Sequence, residues 1–178
     1  MKFATLIVPT MLLAGAIAGP TPKHKRDLDD YEEILDEAIA QIDVAAADLD
    51  GYIAGTIPGT TVQASAVVLV GIINDAATAI AGFDPLTVLE TFQLISRVTS
   101  LVNDVDDLAD TIIDAEDEFI TDGLNDEVLA TLYDFRDAGE ALRDALTPKV
   151  PSGLQGVAND LADQVVADLE RVIAAYTD

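Results

Sequence analysis

The sequence predicts an all-α protein, a single antiparallel bundle of five or six amphipathic helices around either a filled core or an apolar internal cavity. Three observations carry this expectation. Apolar residues recur at alternating steps of three and four along almost the whole chain, the period of a helix with one buried face. Half of the 178 residues are hydrophobic, while 33 acidic residues stand against 9 basic ones, which suits apolar inner faces and solvated acidic outer ones. No stretch shows the alternation or the turn chemistry of a β-hairpin.

Residues 1–18 read as a signal peptide: Lys2 precedes an apolar run from Phe3 to Ile17, and Ala16 and Ala18 have the spacing that signal peptidases select. The run is too short to span a bilayer as a helix, and no second span is expected. Residues 19–26 read as a short pro-segment ending in the dibasic pair Lys25-Arg26, a processing signal of the secretory pathway. Its removal would take His24, the one histidine, and leave the domain 27–178. With Lys2, Lys23, Lys25 and Arg26 gone from the nine basic residues, five would face 33 acids, a formal charge of about −28.

The first helix follows from Leu28, Tyr31, Leu35, Ala38, Ile42, Ala45, Leu49 and Tyr52, ended by Gly51 and the glycine-rich stretch 55–59. A second starts at a Thr60 or Thr61 cap and runs through Val62, Ala66, Leu69, Ile73, Ala76 and Ile80 to Gly82. Between Ala64 and Ile73 it is apolar or small at almost every position, as in a helix surrounded by greasy material. Asp84-Pro85 is expected to open the third segment, which continues by Leu86, Leu89, Phe92, Ile95 and Leu101 to Asp122-Gly123. The pattern leaves open whether residues 85–121 form one helix or two. Asn125 is the expected cap of the next helix, stapled by Leu124 and Leu129 and carrying Val128, Leu132, Phe135, Gly139, Leu142 and Leu146. The stiff link Thr147-Pro148-Lys149-Val150-Pro151 leads to a last helix through Leu154, Leu161, Val165, Leu169, Val172 and Tyr176, with Ser152 and Gln155 at capping-box spacing.

Composition excludes most chemistry. There is no cysteine and no tryptophan, both methionines and the histidine lie in the leader region, and Lys149 is the one lysine beyond it. Thiol and histidine nucleophiles, a Ser-His hydrolase and a His-bearing di-iron site therefore lack their atoms. Asp104, Asp106 and Asp107 resemble the start of a calcium loop, but Ala109 stands where the loop needs glycine. No catalytic residue, metal site or cofactor is expected, and the acidic charge repels nucleic acid. No Asn-x-Ser/Thr acceptor occurs, and the apolar tail of a lipid-anchor signal is not expected either.

What remains is apolar volume. A helix of about 20 residues is roughly 30 Å long, enough to enclose a long-chain fatty acid, and each buried methylene contributes about 0.8 kcal/mol. The alanines of the second helix and Gly71 would leave room for such a chain, or would simply permit close helix packing. Candidate ligand contacts are Leu69, Ile73 and Phe92, with Gln63, Ser65, Gln93, Ser96 and Ser100 as hydrogen-bonding groups. The ordinary role of these polar residues is to cap helices or bond back to the chain. Arg97 would pair with a ligand carboxylate or with a local acid such as Asp104.

The signal peptide, the acidic helical domain without disulfides, the Leu86/Leu89 to Leu101 segment and the Pro148-Lys149-Val150-Pro151 link before Ile173-Ala174-Ala175-Tyr176 together resemble the hydrophobic surface-binding protein A family of filamentous fungi. That family includes the cell-wall galactomannoproteins. The resemblance covers Asp29 to Tyr176. It implies a secreted or wall-associated protein that adsorbs to hydrophobic solids, recruits a secreted lytic enzyme, or holds a fatty acid within the bundle. The chain departs from wall-anchored members in lacking a Ser/Thr-rich stalk, which favours release. The competing reading is a structural or antigenic wall mannoprotein, O-mannosylated and without lipid binding.

Overall fold

The computed structural model describes residues 28–177, so the expected signal peptide and pro-segment lie outside the described residues. Six α-helices and one 3-10 turn follow in order: α1 (Leu28–Ile53), α2 (Gly59–Ala81), α3 (Val88–Asp114), α4 (Glu116–Asp122), α5 (Asn125–Leu146), the turn Thr147–Lys149, and α6 (Gln155–Ala175). Among the described residues there is no strand.

The segment left open by its pattern is two helices. They divide at the fully buried Ala115, whose backbone (φ −88°, ψ 1°) departs from the helix while its N–H still bonds the Thr111 carbonyl. Phe119, one turn on, is thereby turned into the core.

Several helix ends differ from expectation, some through local turn geometry and two, at α3 and α5, where a residue at the helix start bonds a carbonyl far along the chain. Helix α1 runs past Gly51 to Ile53, and it is Gly55, at φ +68°, that turns the chain. Helix α2 starts at Gly59, ahead of the expected threonine caps; Gly59 is buried against Leu124 and Tyr52, and a Cβ there would require the Leu124 side chain to shift. Asp84-Pro85 does not open α3. The Leu86 N–H bonds the Lys149 carbonyl at 2.8 Å, which keeps residues 83–87 out of the helix. Thr87 and Glu90 then form the capping box, with Glu90 Oε2 2.7 Å from the Thr87 N–H. Asn125 is the first residue of α5 rather than its cap, and its Nδ2 reaches the Tyr176 carbonyl. Gln155 Nε2 donates to the Val150 carbonyl, so the Ser152/Gln155 box is not formed.

The five long helices close into a ring in the order α1, α2, α5, α6, α3, with α3 packing back on α1. Successive helices alternate in direction, but a ring of five cannot alternate throughout. Arg97 of α3 meets Glu32 and Asp36 at the start of α1, and Arg171 of α6 meets Asp106 near the end of α3, so α1, α3 and α6 run parallel. Five helices with interaxial distances of about 9 Å sit about 8 Å from the bundle centre, farther than the roughly 6 to 7 Å of a four-helix ring. More side chain is then needed to fill the middle.

The core is dense at both ends and thin between them. At one end Tyr52, Phe119 and Tyr176 pack with Leu49, Leu132 and Val172, the rings of Tyr52 and Phe119 stacked at 4.6 Å. At the other, Tyr31 meets Phe83 edge-on at 4.8 Å beside Leu35, Ile80 and Leu94. The buried cluster between them is only Ile42, Ala45 and Leu69. Helix α2 is long and apolar enough to cross a membrane by length and composition, against the expectation that no second span would be found. Here it forms one wall of the ring, burying Leu69, Ala76, Ala77 and Ile80 and exposing Val67 and Val68.

Candidate ligand cavity

The thin waist encloses an apolar cavity of about 130 Å³ to which all five ring helices contribute. Leu35, Ala38 and Ile42 come from α1, Ile73 from α2, and Val98, Leu101 and Val105 from α3. Phe135, Gly139 and Leu142 come from α5, with Leu161, Val165 and Leu169 from α6. The volume exists because small residues face inward. Gly139 lies in the middle of α5, where glycine costs roughly 1 kcal/mol relative to alanine, and a Cβ added there would meet nothing within 4 Å.

Two smaller voids continue the cavity. One of about 70 Å³ lies against Val62, Ala66 and Val128 and shares Ile112, Leu132 and Phe135 with the central space. The other, about 50 Å³, lies against Leu86, Ile95 and Leu154 and shares Leu35, Val98, Leu146 and Leu161 with it. Side chains shared in this way are the partitions, and side chains turn more readily than backbone. A cavity of about 150 Å³ accepts a molecule the size of benzene. A long alkyl chain would need the partitions to rotate and the voids to join.

The walls are almost wholly apolar. Among the described residues Arg143 is the one charged residue lining the central cavity. Its Nε and Nη2 both donate to Asp144 Oδ1 at 3.1 Å, and the side chain stays about a third exposed, its stem against the apolar wall and its head at the rim.

Of the residues singled out from sequence, Ile73 lines this cavity and Gln63 reaches the smaller void beside α2. Leu69 is buried in the middle cluster next to it. Ser65 is buried, and its hydroxyl donates to the Val62 carbonyl at 2.9 Å, the ordinary back-bond. Phe92, Gln93, Ser96 and Ser100 lie on the exposed face of α3 and are not brought to the cavity. Arg97 is bound to Asp36 and Glu32 of α1, both at 2.9 Å, and not to Asp104; the hydrogen bond it donates to Asp36 raises its pKa further. Burial, with Asp43 and Asp107 nearby, raises the pKa of Asp104 instead. The wall residues of α5, and Arg143 one turn beyond Gly139, belong to the sequence's own apolar series or lie one step from it. Spacing alone would have placed them on the lining face.

Among the described residues no group of three or more His, Cys, Asp or Glu side chains is placed to hold a metal ion. Buried polar groups tie helices together. The hydroxyls of Tyr31 and Tyr176 donate to the carbonyls of Asp84 and Ile112, both at 2.7 Å, and that of Tyr52 donates to Asp122 at 2.9 Å.

Residues 33–148, well over half of the chain, match the model of the family described as Hydrophobic surface binding protein A. The chain is similar to cell wall mannoprotein 1 of Aspergillus fumigatus, 26% identical over all of this chain and 61% of that protein. It thus spans about three-fifths of the length of that curated relative. Ligand binding domain 2 of the Penicillium marneffei MP1 protein, solved with multiple arachidonic acids, has a TM-score of 0.81 at 20% identity, covering 86% of this chain and 98% of that one. AFMP4P in complex with palmitic acid has a TM-score of 0.80 at 16% identity, covering 85% of this chain and 100% of that one. At these identities the likeness establishes a common helical fold. Joined to the family match across α1 to α5, it leads to one conclusion: the chain belongs to the hydrophobic surface binding protein A family.

Proposed function

We propose that this protein is a secreted, non-enzymatic carrier that holds a long-chain fatty acid within its five-helix ring. The observation that carries this reading is the line of apolar voids along the bundle, the central one lined by Gly139, where an added side chain would meet open space. The arachidonic-acid and palmitic-acid complexes of its structural neighbours support it. Burying 14 to 16 methylenes would contribute on the order of 10 kcal/mol before ordering costs, without any reactive group. Ile73, Leu69 and the α5 face form the wall in this reading, while Gln93, Ser96 and Ser100 stay in solvent. Native mass spectrometry of delipidated protein mixed with palmitic acid tests it. A mass increase of one or more whole fatty acids is expected; a chain that takes up none would leave the stable-scaffold mannoprotein reading in its place.

Adsorption to hydrophobic solids is a second mode with its own observation. Val88, Leu89 and Phe92 stand together and exposed on the first turns of α3, with Leu89 at 70% exposure, and Val67 and Val68 do the same on α2. Replacing Leu89 and Phe92 by aspartate should reduce retention on polyester beads and leave palmitate uptake unchanged. Equal retention would remove this patch from the reading. Export through the leader, cleavage after Lys25-Arg26, residence outside the cell or at its wall, no insertion across a membrane and recruitment of a lytic enzyme complete the proposal. Mass determination of secreted material, with Asp27 as the expected first residue, tests the processing.

A further inference from the structure

We infer that Arg143 binds the carboxylate of the fatty acid and so fixes which way the chain lies in the bundle, an assignment that rests on the cavity being the lipid site. Five basic residues are among those described, and four have evident structural work. Arg97 ties α3 to α1 through Glu32 and Asp36, and Arg136 reaches from α5 to Glu170 of α6. Arg171 ties α6 to Asp106 and Asp110 of α3. Lys149 donates to the carbonyls of Ala81 and Phe83 at the end of α2. Arg143 alone joins no two helices: its partner is Asp144, the next residue, and adjacent positions on a helix do not face one another.

Its position suits an anion at the mouth of an apolar space. The stem lines the central cavity with Leu142 and Leu146, while the head sits at the rim, about a third exposed. A carboxylate there keeps part of its hydration, so it avoids the cost of full burial. The guanidinium gives Nε and Nη2 to a single oxygen of Asp144, and its Nη1 makes no hydrogen bond among the described residues. A planar fork with donors to spare matches a carboxylate. No other lining residue of the central cavity carries a positive charge, so among these residues Arg143 alone offers the carboxylate an ionic partner. With the head at Arg143, the tail passes Gly139 and runs about 16 Å to the level of Leu132, where Phe135 must turn to open the void beside α2.

The test compares two probes with the same tail: palmitic acid and 1-hexadecanol, titrated calorimetrically below their aggregation limits into delipidated full-length protein and its Arg143→Gln and Arg143→Lys variants. Arg143→Gln is expected to weaken palmitate about tenfold, the scale of one charged hydrogen bond at a partly exposed site, with hexadecanol changed less than about twofold and Arg143→Lys, which keeps the charge but not the fork, falling between wild type and Arg143→Gln. Unchanged palmitate affinity in Arg143→Gln, or equal loss of both probes, overturns the inference while leaving the cavity reading intact. If wild-type protein binds neither probe, the cavity reading itself fails. A measurement on wild-type protein guards against a variant that does not fold. The carboxyl carbon of 1-13C-palmitate should titrate at lower pH when bound than in phosphatidylcholine vesicles, and an equal or higher midpoint counts against Arg143.

Discussion

Gly139 is the residue on which the interior turns, because its missing side chain is cavity and its backbone is ordinary helix. Replacement by alanine should raise stability by about 0.5–1 kcal/mol through helix propensity alone. Replacement by leucine should leave the melting temperature equal or higher, while palmitate uptake falls to background, since the new side chain occupies the space the ligand needs. A leucine variant that is strongly destabilised, or that still loads, would mean the volume is not where the packing puts it; thermal melts and native mass spectra read both. The contrast with Ser96 and Ser100 shows what was legible at this scale. Polarity within an apolar stretch marks them as candidates, yet Ser96 is two residues from Val98, about 200° around the helix from the wall. Residue type says that a group can bond a carboxylate; only its phase relative to inward neighbours says whether it meets one. By the same phase Arg143, four residues after Gly139, was readable as a lining residue.

Among the elements, three buried tyrosines fasten helix ends, and they make the bundle sensitive to alkali. Burial raises the pKa of both Tyr31 and Tyr52 to about 12, with the Asp84 charge next for Tyr31 and the hydrogen bond to Asp122 next for Tyr52; burial raises that of Tyr176 as well. A folded-state value above the unfolded one near 10 means that the native protein holds more protons, so this stability is complete below pH 10 and is lost as pH rises towards 12. Helicity measured by circular dichroism should therefore collapse between about pH 10 and 12, together with the rise of tyrosinate absorbance. Ionisation of these tyrosines with the helices intact would contradict that linkage. The helices themselves were readable from their period, because an inward face must repeat every three or four residues whatever it packs against. Their ends were not. Thr87 rather than Asp84 caps α3 because the Leu86 N–H is taken by the carbonyl of Lys149, a partner far along the chain that no local signal reveals.

On the scale of the whole molecule, ring order and net charge act together. The order α1, α2, α5, α6, α3 is invisible in the periodicity, which says that each helix has an inner face but not which neighbour it meets. That order sets acids against acids across seams with few cations: Asp43 beside Asp104 between α1 and α3, and Asp106 beside Asp168 between α3 and α6. Desolvation first, then these neighbours, raises the pKa of Asp104 and of Asp168, for which Arg171 is a partial offset. The sign is opposite to that of a salt-bridged carboxylate. The folded protein binds these protons more tightly than the unfolded chain, so their stabilisation is absent at neutral pH and returns as pH falls through the folded values towards the ordinary carboxylate range. The overall charge of −24 adds a general repulsion that compactness worsens and salt screens within about 10 Å at 0.1 M. The melting temperature should accordingly rise from pH 7 to about pH 5 at low salt, and rise at pH 7 when about 0.5 M sodium chloride is added, with the acid gain smaller in high salt. A protein held together mainly by ion pairs would lose stability under both treatments. A fall in melting temperature on mild acidification would show that Arg97, Arg136 and Arg171, and not the repulsion around them, govern how the ring holds its apolar interior closed.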